Sequence, residues 1–286
     1  MSQLIIERQP KIKNARMVVS FTGWMNGGDV STGTVDYIRS KLKAVKFAEI
    51  NPNPFYIFNF PGPMEMADEF RPYARVEQGI LKDFFFPKNE FYYHEESNLI
   101  LFKGKEPNIN WEDYAGYIFE LGEKYNLKRM YFIGSVAAAT PHTRGIRASC
   151  YCSKEGLKKE VKNHGIKFTV YEGPGSITTY LTHLAKKKGI EMINFVAEIP
   201  IYIQSENPKA IKAMTEKLVK LLNLNIDTSD LTKKYLTFEK KINELLLNQP
   251  QLAEEIKKLE ENYDKEFFDR KGGFEEWLKR KGIDKL

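Results

Sequence analysis

The chain is short of the residues that most small-molecule chemistry needs. In 286 residues there are only two cysteines, Cys150 and Cys152, and four histidines, His94, His142, His164 and His183. Two cysteines one residue apart make a poor disulfide framework and only half a metal site, and no second pair exists to complete it. On a strand that spacing puts both thiols on one face, so the expectation is two reduced thiols. No two histidines have metal-ligand spacing, so neither a metal nor a cofactor is expected. No hydrophobic run approaches the length of a membrane-spanning helix. Residues Met1 to Arg16 mix charged and apolar side chains, without the apolar core of a secretory leader. The expected location is the cytoplasm, with no membrane partner. Charge is not scarce but is nearly balanced, at 44 basic against 38 acidic side chains and a net +6. The longest basic run, Lys186-Lys187-Lys188, closes a helix-like stretch, where the helix dipole already favours it. Dispersed charge of this kind describes a solvated surface and argues against nucleic-acid binding.

What the chain does contain is alternation. The apolar run from Arg16 to Phe21 ends at Thr22-Gly23 and predicts a buried strand, followed by a helix over Asp29 to Leu42 capped by Asp29 or Ser31. Strands are expected at Phe47–Ile50, Phe55–Phe58, Val76–Phe86, Glu90–His94, Asn98–Phe102, Arg129–Ile133, Ala148–Cys152, Phe168–Tyr171 and Met192–Ile199. Helices are expected at Trp111–Tyr125, Lys154–Lys162 and Ile177–Lys188, the last closed by Gly189. The alternation predicts an α/β layered domain over residues 1–205 with a mainly parallel sheet. Its strand-end loops, including Gly23–Asp29, Lys103–Trp111 and Gly134–Arg144, would emerge at one edge. After residue 206 the composition shifts to Lys, Glu, Leu and Asn, and residues 206–286 read as a C-terminal helical region. Pro208 starts one helix. Phe238, Ile242 and Leu245 face Leu252, Ile256 and Leu259 in a helical hairpin or short coiled-coil seam. A last short helix carries Trp277.

Three motifs invite chemistry. Gly23-Trp-Met-Asn-Gly-Gly28 has the glycine frame of a phosphate loop, but Asp29-Val30 stands where Lys and Ser/Thr are required, and an aspartate there repels phosphate. A tight turn with Trp24 packed beside it, or a contact for a non-phosphate ligand or partner, fits better. Ser135 follows Gly134, but Ile133 and Ala137 replace the glycines of a nucleophile elbow, which leaves a serine hydrolase using His142 weakly supported. Pro141-His-Thr-Arg144 could bind an anion, or Arg144 could pin two loops through a carboxylate such as Glu106. The candidate cleft or partner-binding residues are Gly23, Trp24, Asn26, Gly28, Asp29, Glu106, His142 and Arg144, with none assigned as catalytic.

Taken in order, these pieces resemble the proteasome assembly chaperone 2 family. They are Gly23-Trp24 with Asn26 to Asp29, Phe47-Ala48 with Pro52 and Phe55-Tyr56, Arg71-Pro72, Phe86-Pro87 and Gly104 to Pro107 with Trp111. Gly134, Pro141 to Arg144, Gly173-Pro174, Pro200 to Tyr202, Asn207-Pro208, Leu259-Glu260 and Tyr263-Asp264 continue the match. The resemblance implies a phosphorylase/hydrolase-like three-layer α/β/α core, often in a homo-oligomer. It also implies an ATP-independent chaperone or scaffold whose partners are proteasome core subunits or another family member. The end of the chain, Gly282-Ile-Asp-Lys-Leu286, lacks the hydrophobic–Tyr–any tail by which some assembly factors dock. The alternative class is an enzyme or binding protein using a nucleoside-phosphorylase/hydrolase-like cleft.

Overall fold

The computed structural model describes residues 2–63, 70–162 and 166–268. The expected Trp277 helix, the tail at 282–286 and His164 lie outside the described residues. A nine-stranded sheet forms the middle layer. Its strands are β1 (Leu4–Ile6), β2 (Arg16–Thr22), β3 (Val45–Ile50), β6 (Glu90–His94), β7 (Leu99–Lys105), β8 (Arg129–Ala138), β9 (Ala148–Cys152), β10 (Lys167–Phe168) and β11 (Glu191–Pro200), in the spatial order β1-β3-β6-β7-β2-β8-β11-β9-β10. A separate two-stranded hairpin pairs β4 (Tyr73–Glu77) with β5 (Ile80–Phe85).

The four central strands, β7, β2, β8 and β11, are parallel. The sheet as a whole is mixed, however, because β6 runs antiparallel to β7 and β9 antiparallel to β11. The departure from a mainly parallel sheet has a simple cause. Residues 95–98 and 139–147 are too few to hold a crossover helix, so each joins strands that run in opposite directions. β2 lies at the centre and is buried on both faces, which explains its unbroken apolar run. Met17, Val19 and Phe21 enter one apolar cluster and Val18 the other.

The first cluster is covered by α2 (Trp111–Lys124) and α4 (Ile177–Lys187). The second is covered by α1 (Val30–Leu42), α3 (Leu157–Lys162) and α5 (Pro208–Leu221). Helices on both faces complete the three layers. Ile211, Met214, Leu218 and Leu222 belong to the same cluster as Val35 and Ile38 on α1, so the expected division at 205–206 cuts through shared apolar packing. Two further helices, α6 (Ser229–Leu246) and α7 (Pro250–Phe268), follow. Among the described residues no helix is long and apolar enough to cross a membrane.

Four strand expectations are corrected, one of them Phe168–Tyr171, of which only Phe168 lies in a strand, β10. Phe55–Phe58 is not a strand, because the Phe55 ring packs edge-on to Tyr114 of α2 at 5.1 Å and its carbonyl accepts from the amides of Asn108 and Ile109. Val76–Phe86 is not one strand but part of a hairpin that turns at Gln78-Gly79, both at positive φ. β8 does not stop at Ile133 but runs on through Gly134 and Ser135 to Ala138, in register with β11.

Candidate functional site

Because β2, β7, β8 and β11 are parallel, the loops at their carboxyl ends share one edge of the sheet. β2 ends at Thr22, whose carbonyl accepts from the Glu106 amide at 2.9 Å. Gly23 then turns at φ +126, and a Cβ there would sit 3.1 Å from that of Glu106. The turn therefore needs glycine both for its backbone and for its closeness. The Glu106 carboxylate accepts from the Ile177 amide at 2.8 Å, in the first turn of α4. Burial pushes the Glu106 pKa up, while the amides of Ile177 and Trp24 pull against that shift. Trp111 Nε1 donates to the Pro107 carbonyl at 2.7 Å and secures the loop that carries Glu106.

Trp24 is not packed beside the turn, as expected, but 59% exposed. It stands at the mouth of a cleft of about 440 Å3, walled by Met25, Val136, Tyr151, Tyr171 and Pro174 with the hydroxyls of Ser149 and Thr169. The Ser176 and Thr179 hydroxyls, near the start of α4, also reach it. The lining carries no charged side chain. Ser149 and Tyr151 reach the cleft because they alternate along β9 with Cys150 and Cys152, which point to the opposite face with their sulfurs 3.6 Å apart.

Asn26 is the residue that caps α1. Its Oδ1 accepts from the Thr32 amide at 3.1 Å, and its Nδ2 donates to Asp29 Oδ1 at 3.2 Å. Asp29 occupies the N-cap position at φ 52 without a side-chain capping bond, and Ser31 Oγ instead accepts from the Phe21 amide at 3.2 Å. Gly28, at φ +58, gives its carbonyl to the Asn207 amide at 2.8 Å. Asn207 in turn caps α5 by accepting from the Ala210 amide at 3.0 Å.

His142 and Arg144 serve a different end. His142 is 3% exposed, with Nδ1 2.8 Å from the Tyr202 hydroxyl and Nε2 3.1 Å from Asn243 Oδ1 on α6. Arg144 makes a bidentate pair with Asp264 of α7, at 2.9 and 2.7 Å. The expected Arg144–Glu106 tie is thus replaced by one to a carboxylate 120 residues away. Beside it the Tyr263 hydroxyl donates to the Gly145 carbonyl at 2.9 Å, and the Arg147 guanidinium lies 3.7 Å over the Tyr263 ring. Ser135 Oγ donates to the Gly27 carbonyl at 2.6 Å, so serine and histidine form no catalytic pair. Among the described residues no three His, Cys, Asp or Glu side chains gather as a metal would need.

The predicted set therefore falls into three groups. Trp24 lines the cleft, and Gly23 meets Glu106 in the neighbouring turn; Asn26 and Asp29 order the start of α1, and Gly28 ties it to Asn207 at the start of α5; His142 and Arg144 hold the C-terminal helices. Sequence reasoning missed the cleft walls Ser149, Tyr151, Thr169 and Tyr171. The two-residue alternation opposite the cysteines could have pointed to the first two.

A family model described as the PAC2 family matches residues 20–246. The chain belongs to the PAC2 family. Solved structures with the same fold include a proteasome-assembly chaperone homologue from Mycobacterium tuberculosis, 24% identical with a TM-score of 0.73, covering 84% of this chain and 99% of that one. A protein of unknown function from the same organism is 19% identical with a TM-score of 0.80, covering 92% and 89%. The archaeal proteasome activator PbaB of Pyrococcus furiosus is 18% identical with a TM-score of 0.64, covering 85% and 97%. No curated protein matches the sequence significantly. Relatives this distant establish the fold of this PAC2 protein and leave its role to be argued from its own residues.

Proposed function

We propose that this PAC2 protein is a non-enzymatic, ATP-independent assembly chaperone or oligomeric scaffold. It acts in the cytoplasm as a homo-oligomer, on proteasome core subunits or on another family member. One observation carries the reading. The polar side chains that a catalytic site would have used are engaged internally, Ser135 with Gly27, His142 with Tyr202 and Asn243, and Arg144 with Asp264, whereas Trp24 is presented to solvent. An exposed tryptophan at the rim of an apolar cleft is the kind of anchor that protein interfaces favour. The test mixes purified proteasome α and β subunits with the protein in the absence of ATP and follows ring formation on native gels. Faster or fuller assembly, lost on Trp24→Ala, supports the reading, and unchanged assembly counts against it.

The cleft supports a second reading, a binding site for an uncharged, nucleoside-like small molecule, because its walls are aromatic and its polar groups are hydroxyls. Titration with adenosine, following tryptophan fluorescence in the wild type and in Trp24→Phe, separates the two. A saturable change confined to the wild type favours the ligand, and no change favours the scaffold.

A further inference from the structure

The only two thiols of the chain lie side by side, and the proposed role makes no use of them. Cys150 and Cys152 stand two residues apart on β9, so both point to the face that α3 covers. Their sulfurs are 3.6 Å apart, and both are free thiols. Cys150 is sealed in the second apolar cluster, whereas Cys152 is only half-buried.

An inert structural pair would be buried together among apolar groups. Here the Cys150 thiol hydrogen-bonds to the Cys152 sulfur and lowers the Cys152 pKa. The cations of Lys158 and Arg129 act in the same direction, against partial burial and the Glu160 carboxylate. The same contact, with burial, pushes the Cys150 thiol up. Cys152 is therefore the thiol that ionises and meets an oxidant, and Cys150 waits beside it with its proton. Redox-sensitive cysteines are poised next to a resolving cysteine in this way.

The backbone permits a bond between them. Two steps of strand place their Cα atoms about 6.6–6.8 Å apart, at the upper end of the range that a disulfide spans. Closing the bond shortens the 3.6 Å gap and draws in the backbone between the two residues. That stretch is lightly held, because β10 pairs only with Ser149 and Cys150 and leaves Tyr151 and Cys152 laddered to β11 alone. The residue drawn in is Tyr151, which walls the cleft and whose hydroxyl lies 3.2 Å from that of Thr178 on α4.

We propose that Cys150 and Cys152 form a reversible dithiol–disulfide site, oxidised by hydroperoxides, whose closure moves the Tyr151 wall of the cleft. The Cys152 thiolate attacks the peroxide O–O bond, keeps one oxygen as a sulfenic acid and releases hydroxide, which takes up the proton that Cys152 had lost. The Cys150 sulfur then attacks the Cys152 sulfur. The S–S bond forms, the S–O bond breaks, and the hydroxide departs as water with the Cys150 proton. Two thiols and one hydrogen peroxide thus give one disulfide and two waters. A small dithiol returns the two electrons by thiol–disulfide exchange.

The inference goes beyond the assembly role, and its test needs no proteasome subunit. Folded protein is treated with a small excess of hydrogen peroxide, freed of peroxide and unfolded, and its thiols are titrated. Untreated protein should give two thiols and treated protein none, with the peptide carrying residues 150–152 lighter by two hydrogens and both thiols restored by dithiothreitol. Thiols that survive, oxygen retained on either cysteine, or a bridge between two chains overturns the proposal. This measurement needs no variant. Cys150→Ala should stop at a sulfenic acid on Cys152 that dimedone labels, whereas Cys152→Ala should leave Cys150 unlabelled; the reverse pattern overturns the assigned roles. Tryptophan emission should change on oxidation of the wild type, revert with dithiothreitol and stay constant in Trp24→Phe, because Trp24 and Tyr151 line the same cleft. Unchanged emission in fully oxidised wild type overturns the link to the cleft.

Discussion

Two hairpins emerge from the three-layer core, and they are finished in opposite ways. The helical one, α6–α7, has the apolar stripe that the sequence shows as a helical hairpin or short coiled-coil seam. In the structure part of it packs on its own chain, while Leu245 stays 63% exposed. Ile256 and Tyr263 are 4% and 8% exposed, and Asn243, Glu260 and Asp264 fasten the helices to the loop over residues 141–147. Among the described residues the strand hairpin, β4–β5, has no such fastening, and its aromatic side chains are exposed. An apolar stripe thus says that a face needs cover. The polar groups around it, long-range and paired one by one, decide whether the cover comes from within the chain.

The sharpest way to test the contrast is to remove one hairpin and keep the other. We propose that the core ends after Leu222. A chain cut after residue 225 is expected to keep its near-UV circular dichroism. A chain cut after residue 205 also strips α5 from Val35 and Ile38. Exposing that cluster should cost more than the roughly 5–15 kcal/mol by which a domain is stable, leaving no fixed tertiary signal. Full near-UV intensity in the shorter chain would place the boundary where the composition changes.

His142→Ala should loosen only the helical hairpin. It removes the partner of Asn243 Oδ1 and leaves the Tyr202 hydroxyl only the amide of residue 142, a local cost of about 1–3 kcal/mol. Hydrogen exchange should rise over 229–268 and stay constant over 73–85; a uniform rise would mean that the two regions are not independent. Arg144→Leu should act in the same direction but more weakly, at about 1 kcal/mol or less, because the pair is partly exposed. Arg144 holds the Asp264 carboxyl below its usual 3.8, so this contribution is complete above that pH and is lost as pH falls through the lowered pKa. Protease susceptibility of α7 in wild type and variant should therefore converge in acid.

The smallest expected effect is in the core, away from either hairpin. Burial raises the Glu106 pKa above 4.5, so its contribution to stability is fully present below that value and is lost as pH rises through the raised pKa. Glu106→Gln keeps an acceptor for the Ile177 amide and should remove this slope. Urea midpoints at a series of pH values check it, and parallel curves for the two proteins would show that Glu106 does not titrate as described.

Much of the fold was legible where local chemistry decides it. β2 is continuous and apolar because both its faces are covered, and Gly189, at φ 73, closes α4 as its position promised. Gln78-Gly79 went unread because the apolar residues around it look like one strand. Of the cleft lining, Trp24 stands in the expected loop after β2. The partner of Arg144 was not legible, since Glu106 and Asp264 are equally plausible carboxylates until the chain is folded.

The sequence by itself determined the strands and helices with clear periodicity, the layered class, the glycine turns around Gly23 and Gly28, and the family. Those properties depend on neighbours a few residues apart. Only the tertiary structure decided that His142 and Arg144 clamp α6 and α7, that Ser149 and Tyr151 wall a cleft, and that β4–β5 is left uncovered. These depend on which of many chemically similar groups, up to 120 residues apart, the topology brings within a few ångströms. Periodicity and composition do not carry that information, because a carboxylate or an apolar stripe reads the same whatever meets it.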